Sequence, residues 1–292
     1  MASESRQDYR SIWTDMQKVP FRQGWINAGG INTRYAEAGS PDAPVIVMLH
    51  GTAGSWEAFS GNFAEHAKHF RCLAIDMIGS GFSDKPDMDY EIPTYVKHAH
   101  DFMKAMGVKK ASFIGVSLGA WVAARFAITH PDMTEKLTLL SAAGLYANEQ
   151  NMARIRGGRS KAVEDPTWEN VKPIFDKLLY LEKNRIDDLI AVRQAVYRQP
   201  EMKQAMAHIL CLQEPDIRRR NLIAEQEWKS LRAPSLFIGA ISDPDEYLET
   251  ARVVSKWMPN ARYVEMKDVG HWPQFENAAA FNTLNLEFLL GK

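Results

Sequence analysis

The chain has 292 residues, is 46% hydrophobic, and balances 35 Lys and Arg against 36 Asp and Glu for a net charge of −1. That size and composition fit an ordinary globular protein with a large core, in one or two domains. The near-zero charge argues against nucleic acid or an anionic membrane as partner, since both need a sustained basic face. The runs Lys109-Lys110 and Arg218-Arg219-Arg220 are short and read as solvated surface. Two cysteines, Cys72 and Cys211, exclude a disulfide framework and read as small buried hydrophobes, and no Cys/His cluster suggests a metal. The opening MASESRQDYRSIW is polar, and no apolar run has the length of a membrane span, so a cytoplasmic location is the expectation.

In chain order, residues 21–38 read as a β-hairpin around Gly29-Gly30. Residues 44–50 form a continuous apolar run, as expected of a strand buried on both faces of a parallel sheet. A Gly-bearing loop (51–55) and a helical stretch to about residue 68 follow, then a strand at 71–76 and a helix at 93–107. A strand at 111–116 leads into a helix at 118–130 that stops at Pro131, and 137–141 is the next strand. Strands at 234–240 and 261–267 enclose a helix at 248–257, and the last helix spans 277–290. This alternation predicts an α/β fold with a mostly parallel, doubly wound sheet.

Residues 145–231 break the alternation. They hold no convincing strand but several helix starts, at Asp165-Pro166, Asp187-Asp188 and Pro215-Asp216. The predicted organisation is an N-terminal extension (1–20), a core (21–144 and 232–292) and a helical cap (145–231) over the carboxyl edge of the sheet, where open α/β sheets bind ligands.

The strongest chemical signal is Gly115-Val116-Ser117-Leu118-Gly119 between a predicted strand and helix, a sharp turn that presents a serine hydroxyl above the sheet. A serine needs a base, and His271 in Gly270-His271-Trp272 follows the last strand, where its loop can return over Ser117. His98, His100, His130 and His208 lie on helical segments without a partner motif. The orienting acid should follow the strand near 235–238. Asp243 is preferred on strand-exit spacing, with Asp245 as the alternative. Two backbone donors are needed for an oxyanion: the N–H of Leu118 and, most simply, that of Thr52 after His50-Gly51. His50 reads as structural, and Asp76 to Asp84 as a rim turn, because it lacks the lysine and hydroxyl pair of a phosphate loop.

Together these residues resemble the α/β-hydrolase family over residues 21–290. Within it, the chain is most similar to the carbon–carbon bond hydrolases that cleave meta-ring-fission products of aromatic degradation. The carrying pieces are His50-Gly51, Gly115-Val-Ser117-Leu-Gly119 and Gly270-His271-Trp272-Pro-Gln274-Phe275-Glu276. The resemblance implies that Trp272 lines the substrate pocket, with Gly51 and Ala53 of the small-residue loop as further contacts. It also implies that Arg193 on the cap holds a dienoate's carboxylate. By residue type alone, Arg193 shares a helix face with Leu189 and Val196, and a snorkelling or ion-paired arginine is the alternative. Two positions depart from the family pattern. It has Asn before the nucleophile, where Val116 stands, and another after the oxyanion loop, where Trp56-Glu57-Ala58 stands.

The expected function is therefore hydrolysis of a carbon–carbon bond in a 2-hydroxy-6-oxo-dienoate. The alternative is a carboxylesterase or lactonase for a mid-sized apolar ester, and a binding protein with a decayed triad is a third reading. No cofactor is expected, because the reaction needs only water. The partner is a small molecule, and apolar residues within 9–16 offer a homodimer contact.

Overall fold

The computed structural model describes residues 10–242 and 245–292. The strands are β1 Phe21–Ala28, β2 Ile31–Ala38, β3 Val45–Leu49, β4 Arg71–Ile75, β5 Ala111–Val116, β6 Thr134–Leu140, β7 Ser235–Ala240 and β8 Ala261–Met266. They form one sheet in the order β1-β2-β4-β3-β5-β6-β7-β8. β1 and β2 form the expected hairpin, and β2 runs antiparallel to β4; every later pairing is parallel. The central strands β5 and β7 are buried along their whole length, whereas β1 and β8 at the edges carry exposed residues. This is why the central runs read as unbroken apolar segments rather than as alternation. β6 begins at Thr134, three residues earlier than expected, because Thr134 pairs with Ala111 directly after a short 3-10 turn at Pro131–Met133.

The helices are α1 Ile12–Met16, α2 Phe63–His66, α3 Ile92–Ala105, α4 Leu118–Thr129, α5 Glu149–Glu164, α6 Trp168–Asp176, α7 Asp187–Tyr197, α8 Met202–Ile209, α9 Pro215–Asn221, α10 Glu225–Ser230, α11 Glu246–Trp257, α12 Pro273–Glu276 and α13 Ala278–Leu290. The stretch expected to be helical before residue 68 is instead a 3-10 segment, Trp56–Asn62, followed by the single turn α2. Its aromatic side chains Trp56, Phe59 and Phe63 are fully buried and set that path. α5 to α10 stand between β6 and β7, and their starts use ordinary signals: the Asn148 side chain caps α5, Asp187-Asp188 open α7 and Pro215 opens α9.

Three polar joints fix these parts to one another. Beneath the loop after β4, buried Asp76 accepts the N–H groups of Trp56 (2.8 Å) and Phe82 (2.9 Å) and pairs with Arg34 (3.0 Å), which also meets Glu57. The turn at 76–84 is thus spent on structure. His208 of α8 bridges Asp87 (2.8 Å) and Asp89 (2.9 Å) on the core loop. At the N-terminus, Arg10 donates to the Phe275 carbonyl (2.7 Å), and Asp188 of α7 accepts the Ile12 N–H (2.9 Å) and the Ser11 hydroxyl. Ile12 and Met16 are only 1% exposed, buried in this chain's own core. The homodimer contact expected of residues 9–16 therefore keeps only Trp13 as an exposed large apolar residue among those described, and Tyr9 lies outside them.

Candidate active site

Ser117 joins β5 to α4 with φ 57° and ψ −116°, a strained backbone for a residue with a side chain. The flanking glycines show what holds it. A Cβ on Gly115 would lie 2.3 Å from the Gly119 carbonyl oxygen, and one on Gly119 would lie 2.0 Å from that of Leu49. Strand, turn and helix are therefore pressed together with no room for a side chain. Ser117 stays in place because its N–H donates to the Leu140 carbonyl of β6 (2.9 Å). At the first turn of α4, the N–H of Leu118 has no intrahelical acceptor and faces the region just past the serine.

The loop after β3 comes against this turn: a Cβ on Gly51 would sit 3.8 Å from Ser117 Oγ. His50 holds the loop. It is completely buried, its Nδ1 lies 2.7 Å from the Gly51 carbonyl and its Nε2 accepts the Met77 N–H (2.9 Å). Burial pushes its pKa down to about 4, so it is a neutral donor–acceptor strut, as expected. Ala53, expected to touch substrate, is instead fully buried with φ 51° and lies outside the cavity lining; its place is in the turn that aims Thr52.

Ser117, His271, Trp272, Gly51 and Thr52 line one cavity of about 690 Å³, the size of a site for a medium organic ligand. A second, very small recess on the other side of Ser117 is lined by Thr52, Leu118 and Trp121. The His271 carbonyl accepts the Ser141 hydroxyl (2.9 Å), and Tyr247 packs edge-on against the imidazole at 4.6 Å. Tyr247 is in turn reached by Asn151 of α5 (3.0 Å), so an inserted helix touches the group that braces His271. Burial, with Arg154 and Arg159 nearby, pushes the His271 pKa down from 6.5 to about 3. The ring is thus neutral near pH 7 and able to accept a proton. Trp272 is 3% exposed and lies edge-on to Phe175 of α6 at 6.0 Å.

Asp243 lies outside the described residues. Asp245 caps α11, its carboxylate accepting the N–H groups of Tyr247 (2.9 Å) and Leu248 (3.1 Å). That duty uses one carboxylate oxygen, and Asp245 also lines the cavity that holds Ser117 and His271.

The opposite wall comes from α5 and α6 and is cationic: Arg154, Arg159, Lys161 and Lys177 all line the cavity. Two acidic residues share the lining, Asp245 and Glu246, and the Glu246 carboxylate accepts the Asn151 amide and lies 3.8 Å from Arg218. Burial raises its pKa. Arg193 is not in the lining. It is 3% exposed on α7, stacked over Phe175 at 5.4 Å and 3.4 Å from the Tyr197 hydroxyl, one layer behind the wall where substrate contact was expected. Sequence reasoning missed Arg154, Arg159, Asn151 and Tyr247. The signal present was a helix face, residues 151, 154, 155, 158 and 159, at three- and four-residue spacing.

Val116 and Ala58, which replace the two expected asparagines, are buried at 0% and 2% and lie outside the lining. No group of three or more His, Cys, Asp or Glu able to hold a metal occurs among the described residues, and no described helix is long and apolar enough to cross a membrane.

Comparison with known proteins places this geometry. The family model for the alpha/beta hydrolase fold matches residues 44–278. A 2-hydroxy-6-oxo-6-(2'-aminophenyl)hexa-2,4-dienoic acid hydrolase from Metapseudomonas resinovorans is 28% identical over 94% of this chain and 93% of its own length. A 2-hydroxymuconate semialdehyde hydrolase from Pseudomonas sp. (strain CF600) is 27% identical over 90% of this chain and 92% of its own. The solved structure of a 2-hydroxy-6-oxo-6-phenylhexa-2,4-dienoate hydrolase from Rhodococcus sp. strain RHA1 superposes with a TM-score of 0.81 at 21% identity, covering 93% of this chain and 99% of that one, a likeness of fold. With the serine turn, the parallel sheet and the matched span together, the chain belongs to the α/β-hydrolase fold family and is a hydrolase.

Proposed function

We propose that this hydrolase cleaves a carbon–carbon bond in a 2-hydroxy-6-oxo-dienoate, using Ser117, His271 and Asp243 as its triad. The observation that carries the reading is the excess of positive charge on the cavity: Ser117 and His271 share it with Arg154, Arg159, Lys161 and Lys177, against only Asp245 and Glu246. A neutral ester gives such a lining nothing to bind, whereas an anionic dienoate does. Relatives that match over nine-tenths of their length are hydrolases of such compounds by name.

The chemistry follows from the placements. The dienol ketonises, its hydroxyl proton leaving and a proton arriving at C5, with His271 moving protons at the cavity floor. Ser117 Oγ then attacks the C6 carbonyl while His271 takes its proton, and the N–H groups of Thr52 and Leu118 hold the oxyanion. The C5–C6 bond breaks with its electron pair passing through the enone to the C2 oxygen, which takes the proton held by His271, releasing a 2-hydroxydienoate and leaving an acyl group on Ser117. Water activated by His271 removes it. Because burial so disfavours the His271 imidazolium, the reaction depends on a carboxylate beside it, the role assigned to Asp243.

A second reading has its own observation. Val116 and Ala58 put hydrocarbon where amides were expected, which favours an esterase or lactonase needing only triad and oxyanion donors. Stopped-flow absorbance separates the two, with 2-hydroxy-6-oxo-6-phenylhexa-2,4-dienoate and 4-nitrophenyl butyrate as substrates. The proposal expects serine-dependent turnover of the dienoate with the higher kcat/KM. Fast ester turnover with an inert dienoate would overturn it.

A further inference from the structure

Arg159 is charged, deeply enclosed and short of partners. It sits mid-way along α5 at 8% exposure and lines the cavity, yet its Nη1 is buried with no hydrogen-bond partner among the described residues. No described carboxylate forms an ion pair with it; of the two acids on the same cavity, Glu246 meets Asn151 and Arg218, and Asp245 caps α11. Behind it stands the fully enclosed hydroxyl of Tyr197, also 3.4 Å from Arg193 Nη1. Burial would raise this phenol's pKa, but the charges of Arg159 and Arg193 outweigh that and hold it below its ordinary value. Two guanidinium groups therefore flank one neutral oxygen. On its other side Arg159 borders the cavity, with Gly158 beside it in the lining.

A buried guanidinium without a counter-ion is unfavourable, and its planar fork matches the two oxygens of a carboxylate in bidentate geometry. Arg159 also stands in the wall itself, while Arg193, the arginine singled out by sequence, stands behind Phe175.

We propose that Arg159 is the specificity-determining residue that holds the substrate's carboxylate, with Tyr197 and Arg193 supporting it from behind. Only the identity of that carboxylate, C1 of a six-carbon chain whose C6 carbonyl meets Ser117, rests on the carbon–carbon reading.

The test uses a matched pair of esters with that spacing, mono-4-nitrophenyl adipate (anionic) and 4-nitrophenyl hexanoate (neutral), on the full chain. Wild type should prefer the adipate, and Arg159→Gln should lower the adipate-to-hexanoate ratio of kcat/KM by roughly 10- to 100-fold, mostly through KM. The ratio cancels any effect of the substitution on His271, an unchanged melting curve reports an intact fold, and Arg159→Lys should recover part of the ratio. An unchanged ratio overturns the proposal. In parallel, binding of the phenyl dienoate is titrated by its absorbance in Ser117→Ala and in Ser117→Ala/Arg159→Gln. A Kd raised by roughly 10-fold or more supports the site, and an equal Kd overturns it. The two readings fail separately. A dienoate that binds through Arg159 but is never cleaved refutes the carbon–carbon reaction and leaves the subsite standing. A dienoate cleaved equally well by Arg159→Gln refutes the subsite alone.

Discussion

The two walls of the cavity are built on opposite principles. The core wall places its groups by backbone: Ser117 in a φ 57° turn closed by Gly115 and Gly119, the Gly51-Thr52 loop strapped by His50, and His271-Trp272 on the loop after β8. The wall from α5 and α6 places long side chains, Arg154, Arg159, Lys161 and Lys177, on ordinary helices. The first arrangement tolerates almost no displacement, since a Cβ on either elbow glycine would lie within 2.3 Å of a carbonyl oxygen. The second can be rewritten residue by residue without disturbing the sheet. Bond-breaking is thus assigned to the rigid wall and recognition to the replaceable one.

The largest expected effect breaks the core wall alone. Ser117→Ala should abolish turnover of every substrate, by about 10⁴-fold or more, while leaving binding and thermal unfolding near wild type. Comparable serine-independent turnover would mean that the chemistry lies elsewhere. Next, Asp243→Asn should cost about 10³- to 10⁴-fold in kcat, whereas Asp245→Ala should cost about 1 kcal/mol of stability, through the lost α11 cap, and little rate. The reverse pattern, read from rates and melting curves together, would transfer the triad role to Asp245.

A pH series sharpens the contrast through stability. His50, His66 and His98 are buried in the core, and burial lowers each pKa from 6.5 to about 4. The folded state binds fewer protons than the unfolded one, so their contribution is complete above about 6.5 and lost as pH falls toward about 4. The pKa of His208, at the joint of α8 with the core, is raised chiefly by its hydrogen bond to Asp89, with Asp87 helping against the opposing effect of burial. Its contribution is present below 6.5 and lost as pH rises through its raised value, and it is small because the pair is largely solvated and screened. Melting temperature should therefore fall steeply on acidification, and His208→Ala should lower it slightly below about pH 6.5, with the difference vanishing as pH rises. A Tm independent of pH between 4 and 6.5 would contradict the neutral core histidines. Smallest of all, Asp188→Ala should release the Ile12 and Ser11 contacts at about 1–2 kcal/mol, lowering Tm by a few degrees without touching kcat.

The same contrast explains what could be read from the sequence. Backbone crowding writes itself into residue types, so Gly115 and Gly119 announced Ser117, and the apolar runs at 44–50 and 111–116 announced the centre of the sheet. His50 reads as structural, and its hydrogen bonds bear this out; the 76–84 run reads as a rim turn for want of a phosphate-loop lysine, and its Asp76 holds Arg34, Trp56 and Phe82 in place. Side-chain recognition leaves no such mark. The α5 face with Arg154 and Arg159 looks in sequence like any polar surface, and only packing of α5 against α6, α8 and the 3-10 turn at Leu210–Gln213 turns it inward. Arg193 was picked out by an apolar stripe that is real but leads behind Phe175 rather than to the cavity. Residues 9–16 looked like a contact for a partner because their apolar positions gave no hint that Ile12 and Met16 would be buried within the chain itself.

The most direct test of the account is product analysis. Incubated with 2-hydroxy-6-oxo-6-phenylhexa-2,4-dienoate, the purified protein should release benzoate and 2-hydroxypenta-2,4-dienoate in one-to-one ratio, matching the dienoate lost, and Ser117→Ala should release neither. Loss of the dienoate chromophore without benzoate would mean that ketonisation occurs but the carbon–carbon bond survives, and the account would be contradicted at its centre.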